Sequence, residues 1–354
     1  MDAEVAVIGG GPAGCSAALA LAAQGVSVVV VHQTLKRSRP TETALPELAQ
    51  ILGGLGAEEA LDSCWSCQGI ESNWAGHLHF RSGIANPLGS PWFVDRANFD
   101  RRLRGIAEKR GVGICAAQVN DLKFFSDRIV LRALGRMITV QSVIFASGSS
   151  ALAARCTDQI PVRTDTLCCY WRLLKPESGK PPEQILSVES ADYGWWYTVP
   201  SRNGLVYAGL VTDSSNARGI RAAAANAWTK LFEATELRAP LGRTSPITAV
   251  CADFSGFSYL ERRSGPRWLI AGDAAAKLDP LGSTGLMAAL SSGKRAAEEL
   301  VGSLLGHGSQ SGRLDSWYGR LIAKFRDERL AQYTAGRGHR QTSFWARRLA
   351  ARVA

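Results

Sequence analysis

The strongest constraint on this chain lies within its first 31 residues. Val5-Ala6-Val7-Ile8 has the composition of a buried strand, and Gly9-x-Gly11-x-x-Gly14 follows without a break. Cys15 to Ala23 is helical in composition, Gly25 stops that helix, and Val26 to Val31 reads as a second strand. Strand, glycine turn, helix and strand in this order form the unit that cradles a dinucleotide pyrophosphate. The first glycine permits the sharp turn, the second lets backbone approach the phosphates, and the third lets the helix pack close to the strand. The helix N-terminus adds free N–H groups and the positive end of a dipole. Gly9, Gly11, Pro12, Ala13 and Gly14 are therefore the expected phosphate cradle. The carboxylate that usually holds the ribose at the end of the second strand is absent, and His32 followed by Gln33 stands in its place.

Length and composition bound the rest. A chain of 354 residues can hold two domains or one interleaved pair. Its 46% hydrophobic and 20% charged residues are ordinary for a globular enzyme. No apolar run reaches the ~18 residues of a membrane span, and the acidic Met1-Asp2-Ala3-Glu4 start leads straight into a strand. A cytoplasmic protein without a transmembrane segment is expected. Net charge is +10, part of it in the arginine-rich stretch 313–352. No nucleic-acid module accompanies that charge, so it points to an acidic protein or peptide partner, or else to a solvated basic surface. Cys64-Trp65-Ser66-Cys67 has no second CxxC and no histidine at zinc-finger spacing. Two ordinary thiols in a loop are expected there, with a redox pair as the alternative.

Taken in order, the chain alternates between two kinds of structure. Apolar residues at 48, 51, 52 and 55 give one helix face between Pro46 and the glycines at 53, 54 and 56. Residues 65–94 carry many aromatics and predict short strands and loops. A helix begins at Asp95 and ends at Gly111. Strands are predicted over 112–119, 128–131 and 142–146, the last running into Ser147-Gly148-Ser149-Ser150. Stretches within 161–211 alternate as antiparallel strands do, and Cys168-Cys169 falls in one of them. A helix is predicted over 222–233. Arg267 to Ala271 is a strand ending in Gly272-Asp273, and Asp279-Pro280-Leu281-Gly282-Ser283-Thr284-Gly285 opens a helix to Leu305. A short linker, 306–312, precedes a helical tail. The expected organisation is a dinucleotide-binding α/β domain over 1–70, 95–160 and 252–305, with a substrate domain over 71–94 and 161–251 inserted in it. Residues 306–354 form a C-terminal helical region.

Four signals stand in one order: Gly9-x-Gly11-x-x-Gly14; Arg96 in Arg-x-x-Phe-Asp-x-x-Leu; Ala146-Ser147-Gly148 with Arg155; and Gly272-Asp273 followed by Asp279-Pro280-x-Gly282-x-x-Gly285. Over roughly 1–305 this resembles the flavoprotein monooxygenases of the para-hydroxybenzoate hydroxylase fold and their relatives, the flavin-dependent halogenases. The resemblance implies a Rossmann-like FAD-binding domain, an antiparallel sheet over the flavin, and FAD as cofactor. It implies that Asp273 contacts the ribityl chain and that the loop of Pro280, Gly282, Thr284, Gly285 and Leu286 lies beside the flavin ring. His32, Gln33, Arg39, Arg96, Val119, Gly148 and Gly272 complete the expected FAD contacts. NAD(P)H enters only as a transient reductant. The aspartate of the family's middle Asp-Gly motif is Ser147 here, and no second glycine-rich unit for NAD(P)H occurs.

A narrower resemblance lies in Gly194-Trp195-Trp196-Tyr197-Thr198-Val199-Pro200 followed by Val211-Thr212-Asp213. It is similar to flavoproteins that mature tryptophylquinone cofactors in amine dehydrogenases and amino-acid oxidases. This implies hydroxylation of a tryptophan in a partner protein or peptide, with Trp171, Trp195, Trp196 and Tyr197 as the substrate wall. Glu42 and His79 are the candidate catalytic side chains. The halogenase lysine belongs in the first third, and no lysine occurs between Lys36 and Lys109. Flavin-dependent halogenation, hydroxylation of a small free aromatic, and reduction of isoprenoid double bonds are the alternatives.

Overall fold

The computed structural model describes residues 3–33, 40–149, 151–304, 312–336 and 342–350. Its organising element is a six-stranded sheet in the order Ser264–Gly265, Trp268–Ile270, Ser142–Phe145, Val5–Ile8, Val28–His32, Gly113–Ala116. All neighbouring pairs are parallel except the first. Val5 pairs with Val28 on one side and Ser142 on the other. The first strand therefore sits where the order of crossovers reverses, and a crevice opens at its carboxyl end. The apolar run predicted this central position, since a strand covered on both faces cannot alternate with polar residues.

The first helix, Pro12–Ala22, is buried almost throughout. It lies against the 20-residue helix Gly285–Leu304, and a Cβ at Gly293 would stand 2.1 Å from the Ala13 carbonyl oxygen. The strand predicted over 112–119 is broken into Gly113–Ala116 and Val119–Phe124, and the second piece joins a separate three-stranded sheet. The helix expected from Asp95 spans Arg96–Lys109, with the Asp95 carboxylate accepting the Asn98 N–H as its cap.

The second large sheet runs Thr244–Pro246, Leu167–Pro176, Val206–Asp213, Gly194–Pro200, Ile185–Ala191, Gly69–Trp74, His77–Ser82, with Cys251–Phe254 also paired to Leu167–Pro176. Only Gly69–Trp74 and Ile185–Ala191 run parallel. One face presents Cys169, Trp171, Trp195, Tyr197, Val199, Tyr207 and Val211. The other carries Leu174, Trp196, Ala208 and Leu210 and is covered by Trp228 and Phe232 of helix Ala225–Glu233.

The C-terminal stretch folds back as helices Arg313–Ala335 and Ser343–Ala350. Tyr333, Phe344 and Trp345 are fully buried in the same cluster as Trp171 and Trp195. Three of its arginines are spent internally, Arg329 on Asp165 and Asp279, and Arg347 and Arg348 on Asp213. Arg329 and Arg348 are neutralised inside the fold, whereas the Arg347 side chain stays 48% exposed beside Asp213. Of the predicted linker only Gly312 lies within the described residues.

Candidate active site

A cavity of about 890 Å³ lies between the carboxyl end of the parallel sheet and the aromatic face of the second sheet. It is large for a small-molecule site, for which ~300–1,000 Å³ is typical, and it is elongated along both sheets' facing edges. Gly9, Gly11, Pro12 and Ala13 line one end with His32, Gln33 and Val119, and Gly148, Gly272, Asp273, Pro280, Gly285 and Leu286 line the middle.

Two glycines of the cradle do different work. Gly14 does not line the cavity: a Cβ there would stand 1.8 Å from the Gly9 carbonyl oxygen, so it exists for close helix–strand approach. Gly11 has nothing within 4 Å of where its Cβ would be, and that space opens into the cavity. This is the opening a phosphate needs. Near it, Arg104 Nη1 donates to the Gly10 carbonyl oxygen at 2.8 Å. Burial and the Arg104 charge together push His32 below the ordinary histidine value, so the ring in the ribose position is neutral at pH 7.

The loop after Asp279 is a 3₁₀ turn, Pro280–Gly282, with Asp279 Oδ1 accepting the Leu281 N–H at 3.0 Å. Ser283 follows in the left-handed region at φ +52°, and its hydroxyl bonds Thr43 Oγ1 at 2.6 Å. Thr284 Oγ1 is buried without a partner at the start of helix Gly285–Leu304. Gly282 and Thr284 shape this loop but do not line the cavity. An open cradle at Gly11 and the helix N-terminus at Gly285 and Leu286, both lining the cavity, fit the phosphates and the electron-rich ring edge of FAD. Asp273 lines the cavity on the turn Gly272–Ala274, where the ribityl contact is expected. Asp273→Ala should weaken FAD by about 10- to 100-fold, the loss of one charge-assisted hydrogen bond, with Tm unchanged; FAD titration and thermal unfolding check both.

Glu42 lies on the short strand Glu42–Ala44 and lines the cavity. Its Oε1 takes the Arg96 Nη1–H at 2.6 Å, and Arg96 Nε donates to Asp100 Oδ1 at 3.2 Å. Burial would lower Arg96, but the two carboxylates outweigh it and raise its pKa, so this guanidinium is a fixed positive charge. The Glu42 side chain is 41% exposed and lines the cavity beside that pair.

Trp171, Trp195 and Tyr197 face the cavity; Trp196 does not. Side chains alternate along a strand, so Trp195 and Tyr197 share a face and Trp196 points to the opposite one, where it meets Trp228 edge-on at 5.2 Å. Three consecutive strand residues cannot all wall one pocket. His79 also lies outside the cavity, exposed on the edge strand His77–Ser82. It is separated from Tyr197 by two intervening strands, which removes it from direct chemistry. Arg39 lies outside the described residues. Cys64 and Cys67 are free, buried thiols, Cys64 within strand Cys64–Ser66 and pushed by burial to about 12, which is the opposite of a reactive redox pair.

Several cavity residues carried no signal in the sequence. Cys169 Sγ and Tyr197 Oη are 3.4 Å apart, and burial raises both groups, the thiol to about 12. Trp171 Nε1 donates to Asp253 Oδ2 at 2.7 Å. A hydrogen-bond chain links the sheet to the loop: Trp195 Nε1 donates to Tyr333 Oη at 3.3 Å, and Tyr333 donates to Asp279 Oδ2 at 2.9 Å. Arg329 Nε donates to the same oxygen at 3.0 Å. The four-residue spacing of Arg329 and Tyr333 on one helix face was the only trace of this brace in the sequence. Lys277 is the sole lysine lining the cavity among the described residues; its Nζ donates to the Phe254 carbonyl and lies over that ring.

Residues 4–165 match the family Glucose inhibited division protein A, GIDA. Tryptophan 2-halogenase of Chondromyces crocatus is 26% identical over 326 residues, covering 86% of this chain and 62% of the halogenase. LodB of Marinomonas mediterranea, assigned as an FAD-dependent oxidoreductase, is 25% identical over 315 residues and 84% of each chain is covered. The flavin-dependent halogenase CmlS superposes with a TM-score of 0.85 at 26% identity over 98% of this chain and 68% of that one. QhpG, a peptidyl tryptophan dihydroxylase essential for tryptophylquinone cofactor biogenesis, superposes at 0.76 with 22% identity, over 98% and 79%. Fold, cradle and these likenesses define an FAD-binding flavoprotein. These likenesses support a flavoprotein monooxygenase superfamily related to the flavin-dependent halogenases. No helix among the described residues is long and apolar enough to cross a membrane.

Proposed function

We propose that this protein is an FAD-dependent monooxygenase that hydroxylates an electron-rich aromatic ring, and that the ring is a tryptophan carried by a partner polypeptide during tryptophylquinone maturation. The observation that supports this best is the wall of Trp171, Trp195 and Tyr197 set across the cavity from the Asp279–Leu286 loop. Bound FAD, once reduced, supplies the oxygen chemistry. The protein's own residues do the rest. Aromatic faces and edges receive a planar ring by offset and edge contacts. Burial keeps the Cys169 thiol and the Tyr197 phenol protonated, so the wall is uncharged and suits a neutral indole. The same burial excludes water from the reacting ring. Glu42, oriented by Arg96, is the residue placed to accept a proton from the ring or to orient it.

The names of the relatives favour a second reading, halogenation. Against it, the first third lacks the halogenase lysine, and the cavity's Lys277 is engaged by the Phe254 carbonyl and ring. The same narrow comparison to QhpG rests on fold and on the Trp-Trp-Tyr stretch. The electron donor is open to a transient NAD(P)H or a separate reductase.

Mass spectrometry after aerobic turnover with chemically reduced FAD decides. Oxygen gained by an indole inside a polypeptide, with free tryptophan a poor substrate, is the expected result. Efficient hydroxylation of a small free aromatic, with none in any polypeptide, would overturn the protein-substrate reading. A chlorine or bromine mass shift in halide would establish the halogenase instead.

A further inference from the structure

The cavity-lining sheet ends in an open edge. Among the described residues, strand His77–Ser82 pairs only with Gly69–Trp74 and has no strand neighbour on its outer side. Residues 77–81 are all exposed. Natural sheets blunt such edges with lysine, proline or a bulge; this strand holds neither residue and pairs in unbroken register from Gly69↔Ser82 to Trp74↔His77.

The register ties this edge to the cavity. Tyr197 pairs with Val188, Val188 with Ser72, and Ser72 with His79. Directly paired residues point to one face, so His79 shares the face of Tyr197 and Val188, both of which line the cavity. His77 and Arg81 join it by alternation. The other face of the strand carries Leu78 and Phe80, 68% and 62% exposed, and the following loop adds Ile84 and Leu88, 77% and 67% exposed. The edge thus carries Arg81 and two imidazoles on the cavity side and apolar side chains on the other.

Resting on the reading of a polypeptide substrate, we propose that this edge docks that substrate: an extended segment of the partner adds a strand beside His77–Ser82, with acidic side chains against His77, His79 and Arg81 and apolar ones against Leu78 and Phe80. Backbone hydrogen bonds supply affinity and the alternating faces supply selectivity. A second copy of this chain is the poorer occupant. Symmetric antiparallel self-pairing keeps like faces together, so Arg81 would oppose His77 of the other copy and His79 would oppose itself, leaving both guanidinium groups without an acidic partner.

The geometry also sets the reach. Three interstrand steps separate His79 from Tyr197, and the docked strand adds a fourth, about 19 Å in all at ~4.8 Å per step. The target tryptophan must therefore lie about six extended residues beyond the docking segment, at ~3.3 Å per residue. Docking then raises the local concentration of tryptophan at the cavity.

The test uses FAD-loaded protein and three labelled peptides. The first has six alternating Glu and Val residues, a six-residue Gly-Ser spacer and one Trp; the second has Lys for Glu; the third is the first with alternate backbone amides N-methylated. Anisotropy should show the first binding about tenfold tighter than either control. The variant His79→Glu/Arg81→Glu should lose about tenfold for the first peptide, as expected for one reversed and one introduced cross-strand charge, while keeping FAD affinity and Tm. Equal binding of the three peptides, or an unaffected double variant, overturns the proposal. Oxygen entering the peptide tryptophan equally in wild type and double variant also overturns it, while leaving oxygenation of polypeptides intact. Edge-dependent binding with no oxygen gained, alongside turnover of a free aromatic, keeps the docking edge and removes the polypeptide-oxygenation reading. A dimer in sedimentation that the double variant breaks, with no peptide bound, gives the edge to a second copy and overturns the proposal.

Discussion

Gly11→Val is expected to give a folded, colourless protein. Gly11 is the cap residue of the first helix, at φ −87° and ψ −171°, an extended conformation that valine adopts readily. It donates no side-chain cap to lose, and its Cβ would meet no protein atom within 4 Å. Stability should therefore stay within about 1 kcal/mol of wild type, as for substitutions away from packed features. The branched side chain instead occupies the space where backbone must approach a phosphate. Affinity for FAD should fall by at least about a hundredfold, equivalent to ~2.7 kcal/mol. Circular dichroism, thermal unfolding and FAD titration measure the two effects separately. Gly14→Val is the contrasting variant. Its Cβ would collide with the Gly9 carbonyl oxygen, so it should fail to fold and its lack of colour would carry no information about the cradle. Normal FAD affinity in a folded Gly11→Val protein would remove the dinucleotide from this loop.

Asp213→Ala should release the C-terminal helix. Asp213 is buried at the end of strand Val206–Asp213, and Arg348 Nη2 and Nη1 donate to its two oxygens at 2.7 and 3.1 Å. Arg347 adds a bond at 2.6 Å. Arg348 Nε already lacks a partner, so removing the carboxylate leaves a buried guanidinium unpaired, at a cost of about 3–5 kcal/mol. The helix Ser343–Ala350 can escape that cost by undocking. Tryptic cleavage near Arg347 and Arg348 should then rise about a hundredfold, and Asp213→Ala/Arg348→Leu should reverse much of it by substituting apolar contact for the pair. Because Phe344 and Trp345 sit behind Tyr333 and Trp195, the single variant should also raise KM for the aromatic substrate more than it lowers kcat. Unchanged proteolysis would show that the pair does not hold the segment.

The same pair fixes an acid limit. Burial pushes the Asp213 carboxyl up, but the hydrogen bonds and charges of Arg348 and Arg347 outweigh it and hold it below the ordinary carboxylate value. A depressed value means the stabilisation is fully present above the unfolded value of about 3.9 and is lost as pH falls through the lower folded one. Cleavage of wild type by the acid protease pepsin should rise only below about pH 4, and Asp213→Asn should show no such step.

Much of this was legible in the sequence because single residues declare it. A buried parallel strand must be apolar along its length, and Val5–Ile8 and Val28–Val31 could be little else. The Gly9-to-Gly14 spacing and Gly272-Asp273 are local patterns whose geometry is set by neighbours in the chain. Trp196 was misplaced because aromatic composition was weighed over alternation, although the alternation was there to read. His79 was misplaced because its neighbourhood is made by register across four strands. The brace of Asp279, Arg329, Tyr333 and Trp195 joins residues up to 138 positions apart, and no local pattern predicts which buried acid meets which arginine. Charge counting overstated the basic surface for the same reason, since the partners of Arg329, Arg347 and Arg348 are known only once the chain folds back.

That fold-back has a consequence for the order of events during synthesis. The phosphate cradle is complete once the strands around Val5–Ile8 have emerged, yet the wall behind Trp195 waits for Tyr333 and Trp345. A chain halted on the ribosome near residue 300 carries the means to hold FAD while its aromatic chamber is still unbraced. Closure of the aromatic chamber thus waits for residues 313–350, and a product terminated before them would carry the cradle beside a chamber that water can enter.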